Sequence, residues 1–263
     1  MDLLVLTFAA TTASLCEYDI MAWEGRERRA LVEKDRLWEG GRVPYTYTHD
    51  VSVGLRAKTE TVMRRLEGMA AVSFVPAPPG RSPRGILVVS TRHVENPHGC
   101  WATVGSPGGA GIAKMNLGWC RQERHITHEL LHVLGMWHEQ SRADSGTFLN
   151  LNRDDGVNDC IIRGTDSRGF AYDFRSIMHY PLSTLGAQLT ADGIERLRLQ
   201  NARPDQVGFW GEASQGDIRQ LADLYGRGSG VITREKENSS AAAGIIVAAV
   251  VVAVIGLYWG LTR

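Results

Sequence analysis

Three histidines and a glutamate between His128 and His138 have the types and spacing of a metal site. His128 and His132 are four residues apart, so on an α-helix both lie on one face, where two imidazoles bind a single ion. Gly135 permits the left-handed turn that ends a helix, and His138 follows that turn. Three imidazoles leave one zinc position open for water, and Glu129 provides a general base. The stretch predicts a hydrolytic zinc site; the alternative is a polar surface helix.

A second segment with matching chemistry lies further along the chain. The sequence "SIMHY" runs from Ser176 to Tyr180. In this position Met178 can form an apolar floor beneath the metal, while Tyr180 can reach its edge. The string from His128 to His138 fits the long zinc motif of the metzincins rather than the short HExxH motif, and "SIMHY" fits the methionine turn that metzincins carry beneath the zinc.

The combined motifs resemble those of the astacins, a metzincin family whose zinc motif reads HExxHxxGxxHE and here ends at Glu139. The resemblance covers the chain from about Asp19 to Gly226. Its other landmarks are "RLWEGGRVPYTY" at 36–47, "GCWATVG" at 99–105, "YDFRSIMHY" at 172–180 and "GDIRQLADLYG" at 216–226.

The resemblance implies an α+β fold, a bilobed metzincin catalytic domain with a twisted N-terminal sheet and the zinc helix in the cleft. It further implies zinc as the cofactor and protein or peptide substrates bound in extended form. We expect Ile112 to Leu117 to be the edge strand that pairs with such a peptide.

The family's roles transfer to individual residues of this chain. His128, His132 and His138 would bind zinc, and Glu129 would take a proton from water and deliver it to the leaving amine. By resemblance, Tyr180 ligates zinc at rest and then swings to stabilise the oxyanion; its alternative is a core tyrosine.

Glu139 would receive the amino terminus that processing creates. The alternative for this residue is an exposed carboxylate at the end of a helix. Just beyond it, the family's "RxDRD" is reduced to Arg142-Ala143-Asp144-Ser145-Gly146. This departure weakens any inference from the family about the polar support of this loop, but it removes no zinc ligand.

The cysteines also follow the family in part. Cys100 and Cys120 match its retained disulfide, which implies an oxidising compartment. A second family disulfide is missing, because its positions are Ala71 and Arg227 here. Cys16 and Cys160 have no family counterpart.

The N-terminal residues suggest a leader and a propeptide. Residues 1–15 resemble a signal peptide, although Asp2 has the wrong charge and a misplaced start within a longer leader is an alternative. Residues 16–29 resemble the short family propeptide, in which Asp19 would coordinate zinc and block the site; an ordinary surface aspartate is the alternative. A trypsin-like protease would cut at Arg28 or Arg29, although the "GRERR" cluster is also consistent with a solvated face.

The C-terminal residues suggest a membrane anchor. Residues 241–261 contain no charge and are long enough to cross a hydrocarbon core of roughly 30 Å. We expect a single-pass transmembrane helix after a polar stalk at 228–240, with the protease domain at 30–227 on the extracellular or lumenal side. A removable lipid-anchor signal and a buried soluble helix are alternatives, and a secreted form is also compatible with the sequence.

Composition and periodicity set the remaining expectations. With 29 basic and 29 acidic residues, the chain has no charge bias towards nucleic acid, and 43% hydrophobic residues suffice for a large core. We expect helices at 55–69 and 122–134, and strands at 43–48, 72–74, 86–90 and 112–117. Two functions fit the sequence: an active endopeptidase, which the retained Glu129 and Tyr180 favour, and a zinc-containing adhesion module without turnover.

Overall fold

The structure, a computed structural model, describes the backbone of residues 20–21 and residues 36–78, 84–94, 97, 99–108, 111–120, 122–151 and 167–228. Within them lies a mixed sheet of six strands in the order β1-β5-β6-β4-β2-β3. All neighbouring strands are parallel except β5 and β6. The strands are β1 (Ile20–Met21), β2 (Arg42–Tyr47), β3 (Ser73–Pro76), β4 (Leu87–Ser90), β5 (Trp101–Thr103) and β6 (Ala113–Asn116).

Helices pack against this sheet and continue beyond it. They are α1 (Val53–Met69), α2 (Glu123–Val133), α3 (Ser145–Phe148), α4 (Ala191–Leu199) and α5 (Gln215–Tyr225). A short antiparallel pair is formed by β7 (Leu149–Asn150) and β8 (Gln188–Leu189). The α+β prediction is confirmed, and the two predicted helices and four predicted strands are present with ends shifted by a few residues.

Local sequence signals explain where the main helices begin. The Ser52 hydroxyl accepts a hydrogen bond from Leu55 N at 3.3 Å and caps α1. From there Val62, Met63 and Leu66 recur on one face and are buried against the sheet. Ser214 and Asp217 form a capping box at the start of α5.

Buried apolar residues form two clusters. The first joins the sheet to α1, α2 and α5 and includes Met178 of the predicted methionine turn. The second consists of residues that follow α2 in the chain: Leu149, Tyr172, Phe174, Leu182, Leu197 and Val207. The zinc helix belongs to the first cluster through Ile126, Leu130 and Val133.

The prediction that Ile112 to Leu117 forms the sheet edge is wrong. Strand β6 lies between β5 and β4 and is hydrogen-bonded on both sides. The strand outside it is β5, which has three residues, too few for an alternating pattern to reveal. The parallel neighbour of β5 is β1, with Ile20 opposite Ala102.

The two positions of the missing disulfide lie close together. Ala70 and Arg227 form an antiparallel bridge, and Ala71 N donates to Gly226 O at 2.9 Å. Backbone hydrogen bonds therefore join these segments where the family pattern would place a covalent bond.

Several expectations fall outside the described residues. These are the signal segment, Cys16, Asp19, the cut site at Arg28 or Arg29, Cys160, most of the stalk and the membrane helix at 241–261. Among the residues that the structure does describe, no helix has the length and apolar character needed to cross a membrane.

Candidate metal centre

The three predicted ligands converge on one point. The Nε2 atoms of His128, His132 and His138 lie 3.1 Å from one another in all three pairs. Within the described residues this is a group with the geometry to hold a metal ion. His132 and His138 are buried, while His128 is partly exposed to the cleft. Hence the helix spacing and the later turn bring together the residues that the sequence predicted.

Backbone carbonyls orient two of these rings. Nδ1 of His128 lies 2.8 Å from Ile177 O, and Nδ1 of His132 lies 2.7 Å from Met136 O. Because a carbonyl oxygen only accepts, both Nδ1 atoms carry the proton and both Nε2 lone pairs face the centre. Converging lone pairs repel one another unless a cation lies between them, so the donor set fits zinc.

Gly135 provides the change of direction that brings in the third ligand. Its φ is 100°, a left-handed conformation that favours glycine. The turn is closed by hydrogen bonds from Gly135 N to His132 O at 2.8 Å and from Met136 N to Leu131 O at 3.0 Å. His138 then approaches from outside the helix, as the sequence predicted.

The methionine turn is held from below by α5. Asp217 accepts hydrogen bonds from Ser176 Oγ at 2.6 Å and from Ile177 N at 2.9 Å. Ser176 Oγ in turn accepts from Met178 N at 3.0 Å, and Met178 is buried. Since Ile177 O also orients His128, a carboxylate on α5 is connected to a zinc ligand. Sequence reasoning missed Asp217, although its capping box with Ser214 was visible.

Glu139 is buried, which excludes the exposed helix-end alternative. Its Oε1 accepts from Arg142 Nη1 at 2.8 Å and from Asp173 N at 2.7 Å. Burial raises the pKa of Glu139, and the Arg142 guanidinium and the Asp173 N–H oppose this rise by stabilising the carboxylate.

Arg142 supports the loop despite the shortened family pattern. Its guanidinium binds both carboxylate oxygens of Asp144, at 2.9 and 2.8 Å, and donates to Phe170 O at 2.6 Å. Polar support of this loop is therefore present, because the two family residues that remain, Arg142 and Asp144, make the contacts.

Tyr180 lies at the edge of the histidine cluster. Its ring centroid is 4.4 Å from that of His138, and the residue is partly exposed. Its backbone is fixed on both sides: Tyr180 N donates to Gln140 Oε1 at 3.0 Å, and His179 Nδ1 donates to Tyr180 O at 2.6 Å. The location differs from that of a tyrosine enclosed in a hydrophobic core.

His179 is a structural histidine. Its Nε2 accepts from Tyr172 Oη at 2.8 Å, and burial lowers its pKa to about 4. The ring is therefore neutral at physiological pH, with its Nδ1 proton committed to Tyr180 O.

A cleft of about 420 Å³ opens beside the histidines. Glu129, His128 and Tyr180 line one part of it, and Glu129 itself is buried. The predicted disulfide between Cys100 and Cys120 is present, with a Cα–Cα distance of 5.2 Å. Its Cys100 end also lines the cleft, together with the aromatic residues Trp119, Phe209 and Trp210, which sequence reasoning did not single out.

Comparisons with known proteins agree with this geometry. The family model for astacin, a peptidase family, matches residues 30–226. Tolloid-like protein 1 of Homo sapiens is 31% identical over 206 residues, covering 75% of this chain and 20% of that protein. Zinc metalloproteinase nas-13 of Caenorhabditis elegans is 30% identical over 208 residues, covering 76% and 43%. The chain thus spans less than half the length of these relatives.

A solved structure shows the same fold. High choriolytic enzyme 1, a hatching enzyme zinc-protease from Oryzias latipes, aligns with a TM-score of 0.59 and 23% identity, covering 74% of this chain and 96% of that one. The zinc prediction is confirmed by the family together with the three converging histidines. Since the family model extends across most of the chain, the protein belongs to the astacin family of zinc metallopeptidases.

Proposed function

We propose that this protein is a zinc-dependent endopeptidase that hydrolyses peptide bonds of extracellular or cell-surface proteins. The observation that supports this most directly is the convergence of three histidine Nε2 atoms beside Glu129 in an open cleft. A binding module needs neither a general base nor an oxyanion donor, whereas hydrolysis uses both.

The chemistry is divided among few residues. The imidazoles of His128, His132 and His138 would hold the zinc ion, which would supply Lewis-acid polarisation of the scissile carbonyl and would acidify water. Glu129 accepts a proton from the attacking water and later delivers it to the leaving amine. The Tyr180 hydroxyl donates a hydrogen bond to the oxygen on which negative charge develops. Ile177 O and Met136 O keep the imidazoles of His128 and His132 in the required orientation.

We further propose that the chain is made as a zymogen. Strand β1 directly follows Asp19 and pairs with β5, the strand whose outer edge an extended substrate would otherwise use. This pairing supports the role of Asp19 in blocking zinc until a trypsin-like protease cuts at Arg28 or Arg29. The new amino terminus would then meet Glu139, whose buried carboxylate suits a cationic partner.

Membrane anchoring by residues 241–261 belongs to the same proposal. The catalytic domain would lie outside the cell or in a lumen, where the Cys100–Cys120 disulfide persists. Extraction from expressing cells by detergent but not by alkaline carbonate would support the anchor, whereas release of the intact chain by carbonate would contradict it.

The decisive test is turnover by the full chain, loaded with zinc, before and after cleavage that leaves Ala30 as the amino terminus. We expect the cleaved form to hydrolyse a fluorogenic peptide library, and a zinc chelator to abolish hydrolysis. Replacing the base in Glu129→Gln should reduce kcat by about 10²–10⁴-fold while zinc stays bound. If neither the cleaved chain nor the Glu129→Gln variant hydrolyses any peptide of the library while zinc is bound, the protease proposal is overturned.

A further inference from the structure

The cleft beside Glu129 has a preformed apolar pocket whose walls are fixed from two sides. Its lining is mostly apolar, and it contains Trp119, Ile177, Pro181, Phe209 and Trp210. Its volume of about 420 Å³ lies within the roughly 300–1,000 Å³ range of ligand pockets.

One wall is formed by the segment 207–210. Val207 is fully buried in the second apolar cluster and anchors the segment from behind. Gly208 has φ +81°, and a Cβ at this position would collide with the backbone of Pro181. The Trp210 indole Nε1 donates to Phe174 O at 2.8 Å, and the Arg175 guanidinium lies 4.5 Å from the centroid of the Trp210 ring. These contacts hold Phe209 and Trp210 at the cleft.

The other wall is formed by Trp119 and its neighbours. Trp119 N donates to Gly99 O at 3.1 Å, and the disulfide between Cys100 and Cys120 ties the same two segments together. Despite this fixed backbone, Trp119 is 59% exposed and Phe209 is 54% exposed. Two large apolar side chains thus remain in water at the mouth of the pocket, where contact with an apolar ligand group would cover them.

The pocket lining also includes a cationic side chain, Arg124, and its guanidinium lies near the Phe209 ring. The Arg124 guanidinium lies 5.7 Å from the centroid of the Phe209 ring, and its Nε donates to Gln122 Oε1 at 2.7 Å. Arg124 therefore interacts with one wall of the pocket and extends its flat surface.

The position of the pocket indicates which substrate residue it receives. Glu129 delivers its proton to the leaving amine, and that nitrogen belongs to the residue that follows the scissile bond. The side chain of that residue begins two bonds away from the nitrogen. A pocket that starts at Glu129 and Tyr180 is thus within its reach.

From these observations we propose that the enzyme selects a large apolar side chain, preferably an aromatic one, on the residue that follows the scissile bond. Trp119 and Phe209 are the specificity-determining residues. This inference rests on the endopeptidase function proposed above and names the substrate class of that same site.

The test uses three peptides that differ only in the residue after the scissile bond, which is Phe, Ala or Asp. With the cleaved, zinc-loaded full chain, we expect kcat/KM for the Phe peptide to exceed the values for the other two by about tenfold or more. Trp119→Ala and Phe209→Ala should each reduce the Phe-to-Ala ratio several-fold. The matched control is Ile194→Ala, which removes a residue that is 59% exposed on α4, away from the cleft, and should leave the ratio unchanged.

Binding of the same peptides to zinc-loaded Glu129→Gln separates this inference from the proposed catalysis. Tighter binding of the Phe peptide supports the pocket even if the unmodified chain shows no turnover. If the three peptides are hydrolysed with equal kcat/KM, or if the Asp peptide has the highest kcat/KM, the inference is overturned while the endopeptidase function remains intact. Unchanged ratios in both aromatic variants would also overturn it.

Discussion

At the scale of single residues, the burial of a charged side chain decides how much its ion pair contributes to the stability of the fold. Among the described residues, two Arg–Glu pairs have the same i,i+3 spacing. In the Glu139–Arg142 pair the side chains are 4% and 2% exposed, whereas in the Glu195–Arg198 pair they are 54% and 70% exposed. A buried charge that loses its partner cannot regain hydration, but an exposed one can.

Removing the arginine from each pair should therefore have very different effects. We expect Arg142→Ala to lower the free energy of unfolding by about 3–5 kcal/mol, since it leaves Glu139 and Asp144 without their guanidinium. Arg198→Ala is the matched control and should cause no measurable change. Urea unfolding of both variants measures the difference; equal losses would contradict this account.

At the scale of secondary-structure elements, α5 is the support of the metal centre. Its residue Asp217 holds the methionine turn, and its last residues lead to the bridge with Ala70. Burial raises the pKa of Asp217 to about 6, and the Asp173 carboxylate adds to this effect. Hydrogen bonds from Ser176, Ile177 and Ser214 act in the opposite direction.

The raised pKa of Asp217 predicts a specific pH dependence of stability. The ordinary value of 3.8 applies to the unfolded chain, so between pH 4 and 6 the folded state binds more protons than the unfolded state. Stability should consequently fall as pH rises through this window, by up to about 3 kcal/mol, because one pKa unit corresponds to about 1.4 kcal/mol.

Urea unfolding of the zinc-free chain at pH 4, 5 and 6 measures this effect. Asp217→Asn, which has no titrating carboxylate, should lack this part of the pH dependence. If the unmodified chain instead gains stability relative to Asp217→Asn as pH rises, the three hydrogen bonds outweigh burial.

The missing disulfide leads to a second prediction at the scale of elements: restoring the bridge should stabilise the fold. The double substitution Ala71→Cys and Arg227→Cys should form a disulfide, since the family pattern places its bridge at these two positions and Arg227 lies opposite Ala70, the neighbour of Ala71. We expect the oxidised double variant to be more stable by about 2–4 kcal/mol, because the bridge restricts the unfolded chain. Unfolding with and without reductant measures the gain, and the single variant Ala71→Cys should show none. Free thiols in the folded double variant would contradict the prediction.

Sequence patterns predicted the elements that have long, regular periods or fixed motif spacing. Helix α1, helix α2 and the three histidines belong to this group. The patterns failed for β5, which is too short to alternate, and therefore for the order of strands in the sheet. They also missed Asp217, Trp119 and Phe209, since their roles depend on contacts between residues far apart in the chain.

At the scale of the whole molecule, zinc connects segments that the chain separates. His128 and His132 lie on α2, His138 follows the Gly135 turn, and Ile177 from the methionine turn orients His128. An ion that binds only this folded arrangement stabilises the whole molecule through its binding free energy.

Zinc should accordingly raise the stability of the full chain in a concentration-dependent way. At free zinc one hundred times Kd, the gain is about 2.7 kcal/mol, and a chelator should reverse it. Calorimetry over a zinc titration measures this, with His132→Ala as the variant that loses most of the dependence. An unfolding temperature that does not respond to zinc would contradict the ligand assignment.

The composition of the first apolar cluster also has a consequence for biosynthesis. The first apolar cluster begins at Trp38 but includes Leu221 and Leu224, which are among the last described residues to leave the ribosome. Because domains generally fold as units during synthesis, the N-terminal sheet can complete its core only after α5 has been translated and has left the ribosome. Until α5 emerges, the apolar surface of the N-terminal sheet is available to chaperones. A ribosome stalled before residue 215 should therefore present a nascent chain that a chaperone retains.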